Sequence, residues 1–181
     1  MTGYDKHYEE EHHFGEPYPD LVRFFRERKH RGKVLDLGCG QGRDVLAIAR
    51  LGFDVTGVDI SPVGIEQMLF DAKKENLPVN GVVADIYEYP IDSSFDFVLL
   101  DSMLHFYKRE RKRETQLLQR IMNEMKSGAH LCVFVSKSKT TEPILEGILE
   151  KESRRWNIVE DTYIRYPKMN SLYRMFITRK K

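Results

Sequence analysis

The chain has 181 residues, which suits one domain, and 41% of them are hydrophobic, enough for a sizeable core. Its 29 basic and 28 acidic residues leave a formal net charge of +1, a balance that announces neither a nucleic-acid nor a membrane partner. The two cysteines, Cys39 and Cys132, lie far apart and outside any CxxC or Cys/His pattern, which argues against a disulfide framework or a structural zinc. No apolar run approaches the roughly 20 residues needed to span a bilayer. The first residues are charged rather than signal-like, which points to the cytoplasm.

Residues 2–13 are polar and acidic, with Tyr4 and Tyr8 four apart, and Phe14-Gly15-Glu16-Pro17-Tyr18-Pro19 breaks any helix. Residues 20–30 read as an amphipathic helix with Leu21, Phe24 and Phe25 on one face. A strand over residues 33–37 then enters Gly38-Cys39-Gly40-Gln41-Gly42, where glycines fall at every second position before a helix. Glycine tolerates positive φ and lets a ligand approach the backbone. The dinucleotide fingerprint spaces its glycines G-x-G-x-x-G and seats a pyrophosphate on the helix N-terminus. Here the spacing is G-x-G-x-G, and Asp36 stands two residues before the first glycine. A carboxylate there repels a pyrophosphate and attracts a cation.

Val45, Leu46, Ile48, Ala49 and Leu51 form a helical stripe stopped by Gly52. Residues 53–60 read as the second strand, with Asp59 at its end. An acid roughly 20 residues past the glycine turn can accept hydrogen bonds from both hydroxyls of a ribose. The competing role for Asp59 is a cap on the next helix, which Ser61-Pro62 opens ahead of the stripe Ile65, Met68, Leu69 and Ala72. Residues 79–84 are the third strand, followed by Asp85 and Ile86, then a turn-rich stretch over 87–94. The fourth strand, 95–101, ends in Asp101. A long helix is predicted over 108–126, with Leu117, Leu118, Ile121, Met122 and Met125 facing the core and Gly128 beyond its end.

Residues 129–135 are apolar almost throughout, as a central parallel strand should be. A helix over 143–154 leads to two strands, 156–166 and 172–179, joined by a turn at 167–170. That connection is too short for a crossover helix, so this pair must be antiparallel. Alternating strands and helices closed by an antiparallel hairpin predict an α/β, doubly wound, mostly parallel sheet with helices on both faces. Residues 1–181 then make one domain with nothing left for a separate substrate domain. Residues 1–30 and the loops at the strand ends must hold the substrate.

The glycine loop from Asp36 to Gly42, Asp59, the Ala84-Asp85-Ile86 step and the fourth strand together resemble the class I S-adenosylmethionine (SAM)-dependent methyltransferases. The likeness covers residues 33–101, and the order of later elements extends it to the C-terminus. It implies seven strands in the order 3-2-1-4-5-7-6, the last antiparallel, and SAM as the cofactor, a molecule with an ammonium, a sulfonium and no phosphate. It implies that Asp36 helps hold the methionyl ammonium while the backbone of Gly38 and Cys39 runs along the methionine. Gly40 and Gly42 belong to the same cofactor loop. Asp59 binds the ribose, Ile60 lies against the adenine face, Asp85 accepts from the adenine amino group and the backbone of Ile86 donates to the ring. Asp85 also suits a turn or cap. Asp101 counts with the cofactor residues, and the segment after it is where the family places its reacting groups.

Methyl transfer from a sulfonium is an in-line displacement with an activated leaving group, so the protein mainly aligns the partners and excludes water. His105 is the candidate base or orienting group, or else a polar residue at the start of the long helix. Tyr107 is the second candidate. The Asn/Asp-Pro-Pro-Tyr/Phe pattern that holds amino groups of bases or glutamine does not follow the fourth strand, which speaks against nucleic acid as substrate. Phe14, Tyr18 and the Tyr4/Tyr8 pair either form a lid or pack with an N-terminal helix on the sheet. The mixed charges of 108–114 suit a solvated helix face. The segment around Phe14-Gly15-Glu16-Pro17 and the small size resemble small-molecule methyltransferases of the tellurite-resistance and thiopurine type. The expectation is methyl transfer to a small-molecule acceptor without a metal. Rivals are a SAM-binding sensor or activating subunit without catalysis, and a nicotinamide oxidoreductase, which Asp36 and the glycine spacing disfavour. The acceptor's identity and the oligomeric state are not written in the sequence.

Overall fold

Apolar, β-branched runs lie side by side as parallel strands β1 (Lys33–Leu37), β2 (Asp54–Asp59), β3 (Val79–Val83), β4 (Phe97–Asp101) and β5 (His130–Ser136). The hairpin of β6 (Trp156–Arg165) and β7 (Leu172–Lys180) adds its second strand antiparallel to β5, and the sheet runs β3-β2-β1-β4-β5-β7-β6. This order and sense are those the resemblance implies. The computed structural model describes residues 7–10, 12–166, 168 and 171–181. Tyr4 and most of the turn at 167–170 therefore lie outside the described residues.

Register carries the strand ends to one edge. Asp36 pairs with Gly57 and Leu99, Asp59 with Val83, and Asp101 with Phe134. Because side chains alternate along a strand, β4 supplies both faces of the sheet. Phe97 and Leu99 face the layer of helices α1 (Pro19–Arg26), α2 (Arg43–Ala49) and α3 (Pro62–Lys74), and Val98 and Leu100 face α4 (Arg111–Glu124) and α5 (Thr141–Lys151). No helix among the described residues is long and apolar enough to cross a membrane.

Three helices differ from their sequence patterns, and α5 runs from Thr141 to Lys151 rather than over 143–154. The first ends at Arg26 rather than residue 30, because Arg31 turns back and donates to the terminal carbonyls of Phe25 and Arg26, both at 3.3 Å. The long helix starts at Arg111 rather than residue 108. Phe106 adopts a left-handed φ of 52°, and a turn bonded from Glu110 N to the Tyr107 carbonyl precedes the helix. Tyr18, Leu21, Phe24 and Phe25 are fully buried, so α1 packs on the sheet and the roofing part of the N-terminal segment lies before it.

Candidate active site

The chain leaves β1 through the glycine loop. Gly38 N and Cys39 N both donate to the Val58 carbonyl, at 2.7 and 3.1 Å, which ties the loop to β2. Gly38 has φ +86°, and a Cβ there would sit 2.2 Å from the Met103 sulfur; at Gly40 it would sit 2.8 Å from the Tyr8 hydroxyl. Glycine is required because both positions hold positive φ, +86° at Gly38 and +52° at Gly40, and Met103 and Tyr8 add to the crowding. Asp59 is buried and accepts from Gly40 N at 2.9 Å through Oδ2 and from Ser61 N at 2.8 Å through Oδ1. The helix cap that competed for Asp59 is instead Ser61, whose Oγ accepts from Gly64 N at 3.2 Å.

A cavity of about 560 Å³ opens over this edge, where open α/β sheets receive ligands. Gly38, Cys39 and Gly40 line it from the loop, and Asp36, Asp59 and Ile60 from the ends of β1 and β2. Asp85 and Ile86 line it after β3, and Asp101 and His105 after β4. Two predicted residues are not in the lining. Gly42, at φ +83°, caps α2 and lies against Met68, while Tyr107 is 68% exposed and stacks on the His105 ring at 5.3 Å.

Charge in the cavity is one-sided. Seven acids, Asp36, Asp44, Asp59, Asp85, Asp101, Glu110 and Glu114, line it with two arginines, Arg43 and Arg113, in a chain whose formal net charge is +1. Burial first, then the Asp44 and Asp59 carboxylates, push the Asp36 carboxyl well above the usual range, against the pull of Arg43. A cation bound here lowers the energy of the ionised form.

Arg43 organises the floor. Its Nε and Nη2 grip Asp44 at 3.0 and 2.7 Å, Nη2 also donates to Asp101, and the guanidinium lies 5.1 Å from the Tyr18 ring and 5.5 Å from that of Tyr166. At the other end, Asp85 accepts from Tyr87 N at 3.0 Å and from Arg113 at 2.6 Å, with Arg113 lying 3.7 Å over the Tyr87 ring. The turn role and a place in the cavity thus coexist at Asp85.

His105 sits in a loop rather than at a helix start. Ser102 and Phe106, at φ 59° and 52°, are held left-handed on either side of it, a conformation that non-glycine residues keep only when their surroundings enforce it. At Phe106 the enforcing group is Glu114, a buried carboxylate of α4 that accepts from His105 N at 3.1 Å and from Phe106 N. Thr141 Oγ1 donates to the His105 carbonyl at 3.0 Å from the other side. The N-terminal segment forms the roof. Gln67 donates to the Tyr8 carbonyl at 2.9 Å, Gln41 donates to that of Glu10 at 2.8 Å and accepts from His13 N at 2.9 Å, and the Tyr166 hydroxyl donates to the Phe14 carbonyl at 2.6 Å.

A model described as a methyltransferase domain matches residues 34–128, more than half of the chain and the whole stretch from the glycine loop to the end of α4. The chain belongs to the methyltransferase domain family. It is 40% identical over 79 residues to the probable S-adenosyl-L-methionine-dependent methyltransferase TehB of Haemophilus influenzae, covering 44% of this chain and 28% of that protein. It is 28% identical over 135 residues to the 2-heptyl-1-hydroxyquinolin-4(1H)-one methyltransferase of Mycobacteroides abscessus, covering 74% and 59%. Against these curated relatives the chain spans about a quarter and three fifths of their lengths. The N-methyltransferase NodS of Bradyrhizobium japonicum, solved in complex with S-adenosylhomocysteine, superposes with a TM-score of 0.78 at 14% identity over 97% of this chain and 95% of that one. At that identity the likeness is one of fold.

In this methyltransferase-family chain, Arg43, Glu114, Gln41 and Gln67 escape a sequence reading. The first had a local signal, an Arg-Asp pair directly after the glycine loop. The other three have none, because their partners are 8 to 59 residues away and are chosen by packing.

Proposed function

We propose that the protein binds SAM in the acid-lined cavity and transfers its methyl group to a small-molecule acceptor by in-line displacement. The acid-rich cavity over the glycine loop carries this reading, since a ligand with two cations and no phosphate matches it and a dinucleotide does not. The relatives' names agree. Bound there, SAM supplies a methyl group on an already activated sulfonium.

Asp36 holds the methionyl ammonium, and the backbones of Gly38 and Cys39 line the methionine. Asp59, in the cavity lining at the end of β2, accepts from the ribose hydroxyls. Ile60, 49% exposed in the cavity, offers an apolar face for adenine to cover, beside Asp85 and Ile86. Asp101 anchors the floor through Arg43. His105 orients or deprotonates the acceptor, with Tyr107 stacked behind its ring. Residues 1–30 supply the roof and α1, and the roof excludes water. An acid-rich cavity repels a phosphate backbone, which supports a small molecule over nucleic acid. Two buried free thiols, Cys39 and Cys132, fit a reducing cytoplasm.

Calorimetry with SAM, S-adenosylhomocysteine and NAD tests the cofactor, with micromolar dissociation constants of the order common for enzyme ligands expected for the first two. Tight NAD binding without a SAM response would sink the assignment. Product detection with a metabolite panel separates transfer from mere binding.

A further inference from the structure

We propose that the acceptor half of this cavity is built for a neutral, planar aromatic molecule bearing one hydroxyl, thiol or amino nucleophile, and that it rejects anions. This inference rests on the methyl-transfer reading above. The acceptor half is the part bounded by Phe14, Arg43, Met103, His105, Tyr166 and Tyr173.

Arg43 is the cation of that half, and an arginine in a pocket usually signals an anionic ligand. Here it is already neutralised. Asp44 takes two of its nitrogens, Asp101 takes Nη2 as well, and the rings of Tyr18 and Tyr166 lie beside it. Two carboxylates on one guanidinium leave the cluster net negative before Asp36 is counted. An anionic acceptor would meet like charge in a site shielded from water, where such contacts are most costly. The second arginine of the cavity, Arg113, is held by Asp85 at 2.6 Å.

Two further polar groups are tied up within the protein. Ser102 Oγ donates to Asp101 at 2.9 Å, and the Tyr166 hydroxyl donates to the Phe14 carbonyl at 2.6 Å. Ring and thioether side chains make up much of this part of the lining. Tyr166 and Tyr173 stand 5.8 Å apart with planes at 43°, Phe14 shares the lining with them, and Met103 covers Gly38. Such walls favour flat π-systems by stacking and edge contacts. The His105 backbone is clamped by Glu114 and Thr141, while among the described residues its ring nitrogens have no hydrogen-bond partner. One polar ring nitrogen among apolar walls matches one nucleophilic heteroatom on a flat ring. In the reaction, the acceptor's lone pair forms the bond to the methyl carbon as the carbon–sulfur bond breaks. That bond's electrons stay on sulfur, giving neutral S-adenosylhomocysteine, and the acceptor's proton passes to His105 or water.

The test uses the full chain loaded with S-adenosylhomocysteine and a matched pair of probes, 2-naphthol and 2-naphthoate, titrated by calorimetry at neutral pH. The rings are equivalent and the charges differ. The expected result is naphthol binding at least about tenfold tighter than naphthoate. Tyr173→Ala should weaken naphthol by about three- to tenfold, the range of one aromatic contact, with S-adenosylhomocysteine affinity unchanged. Equal or tighter naphthoate binding, or no naphthol binding to the loaded protein, would overturn the inference while leaving methyl transfer in place. Failure of the loading titration itself, read before any probe is added, would overturn the methyl-transfer reading and this one with it.

Discussion

Asp59 accepts a hydrogen bond from the backbone of Gly40 at 2.9 Å, so the end of the second strand holds the loop that follows the first. A residue at a strand end is often dispensable to the fold, but Asp59 is 8% exposed and also receives Ser61 N. Asp59→Ala leaves two buried N–H groups without that partner. We expect a loss of about 2–4 kcal/mol in stability, since each unsatisfied buried group costs about 1–3 kcal/mol and partial rehydration offsets some of it. SAM affinity should fall by roughly ten- to a few hundredfold. Thermal unfolding and a SAM titration measure the two effects. An unchanged melting temperature would show that the loop holds itself.

Asp36 trades stability for binding. Its folded-state carboxyl titrates above the usual range, so the folded chain binds that proton more tightly than the unfolded chain does. Its contribution to stability is therefore present below the ordinary carboxylate pKa and is lost as pH rises through the raised value. Binding has the opposite sign, since the ammonium of SAM gains only from the ionised form. Asp36→Asn should raise the melting temperature of the unliganded protein and weaken SAM by about tenfold or more. The wild type should bind SAM more tightly as pH rises from the ordinary carboxylate range through the raised value, and the variant should not. Parallel slopes for the two proteins would remove Asp36 from the site.

His130 gives the fold a sensitivity to acid. It opens β5 stacked on Phe97 at 5.1 Å, and burial, then the charges of Arg179 and Arg28, lower its pKa to about 4 against the opposing pull of Asp96. The unfolded chain then binds more protons between the ordinary value near 6.5 and about 4. Stability contributed by the neutral ring is present above that window and declines as pH falls through it. The ring is only half-buried, so solvent screening limits the effect to about 1–2 kcal/mol. Unfolding by urea between about pH 7 and about pH 4 should show a slope that His130→Phe flattens. An equal slope in the variant would assign the acid sensitivity elsewhere.

Glu114 tests whether the placement of His105 matters. His105→Ala should keep SAM affinity within about threefold and lower single-turnover rate by roughly 10²-fold or more. Glu114→Ala removes the acceptor for His105 N and Phe106 N, which frees the left-handed turn at Phe106. Its turnover should fall by a similar factor, with partial rescue in Glu114→Gln. The double variant should be no worse than the His105 variant alone, because both act through one group. Additive losses would show that Glu114 acts independently of His105, and an undiminished rate in His105→Ala would leave alignment and water exclusion as the whole catalytic account.

Much of the molecule was legible in the sequence because the signals were local. Strand and helix periods set the order of elements, the glycine loop declared the turn after β1, and acids at the strand ends marked Asp36, Asp59, Asp85 and Asp101. The strand order came from the family resemblance, and the observed sheet has it. Only the tertiary structure decided how those residues are used. A helical pattern over 108–126 carries no sign that Phe106 turns left-handed, because the group that holds it there, Glu114, acts from inside the helix. Exposure at Tyr107 and burial at Glu114 are equally invisible to a charge pattern. Arg43 meets Asp101 across 58 residues, and Gln67 meets the Tyr8 carbonyl across 59. Local sequence sets backbone conformation through short-range sterics and periodicity. Which distant side chains satisfy a buried polar group is settled only when the layers pack, since burial is what makes an unpaired group costly enough to select its partner.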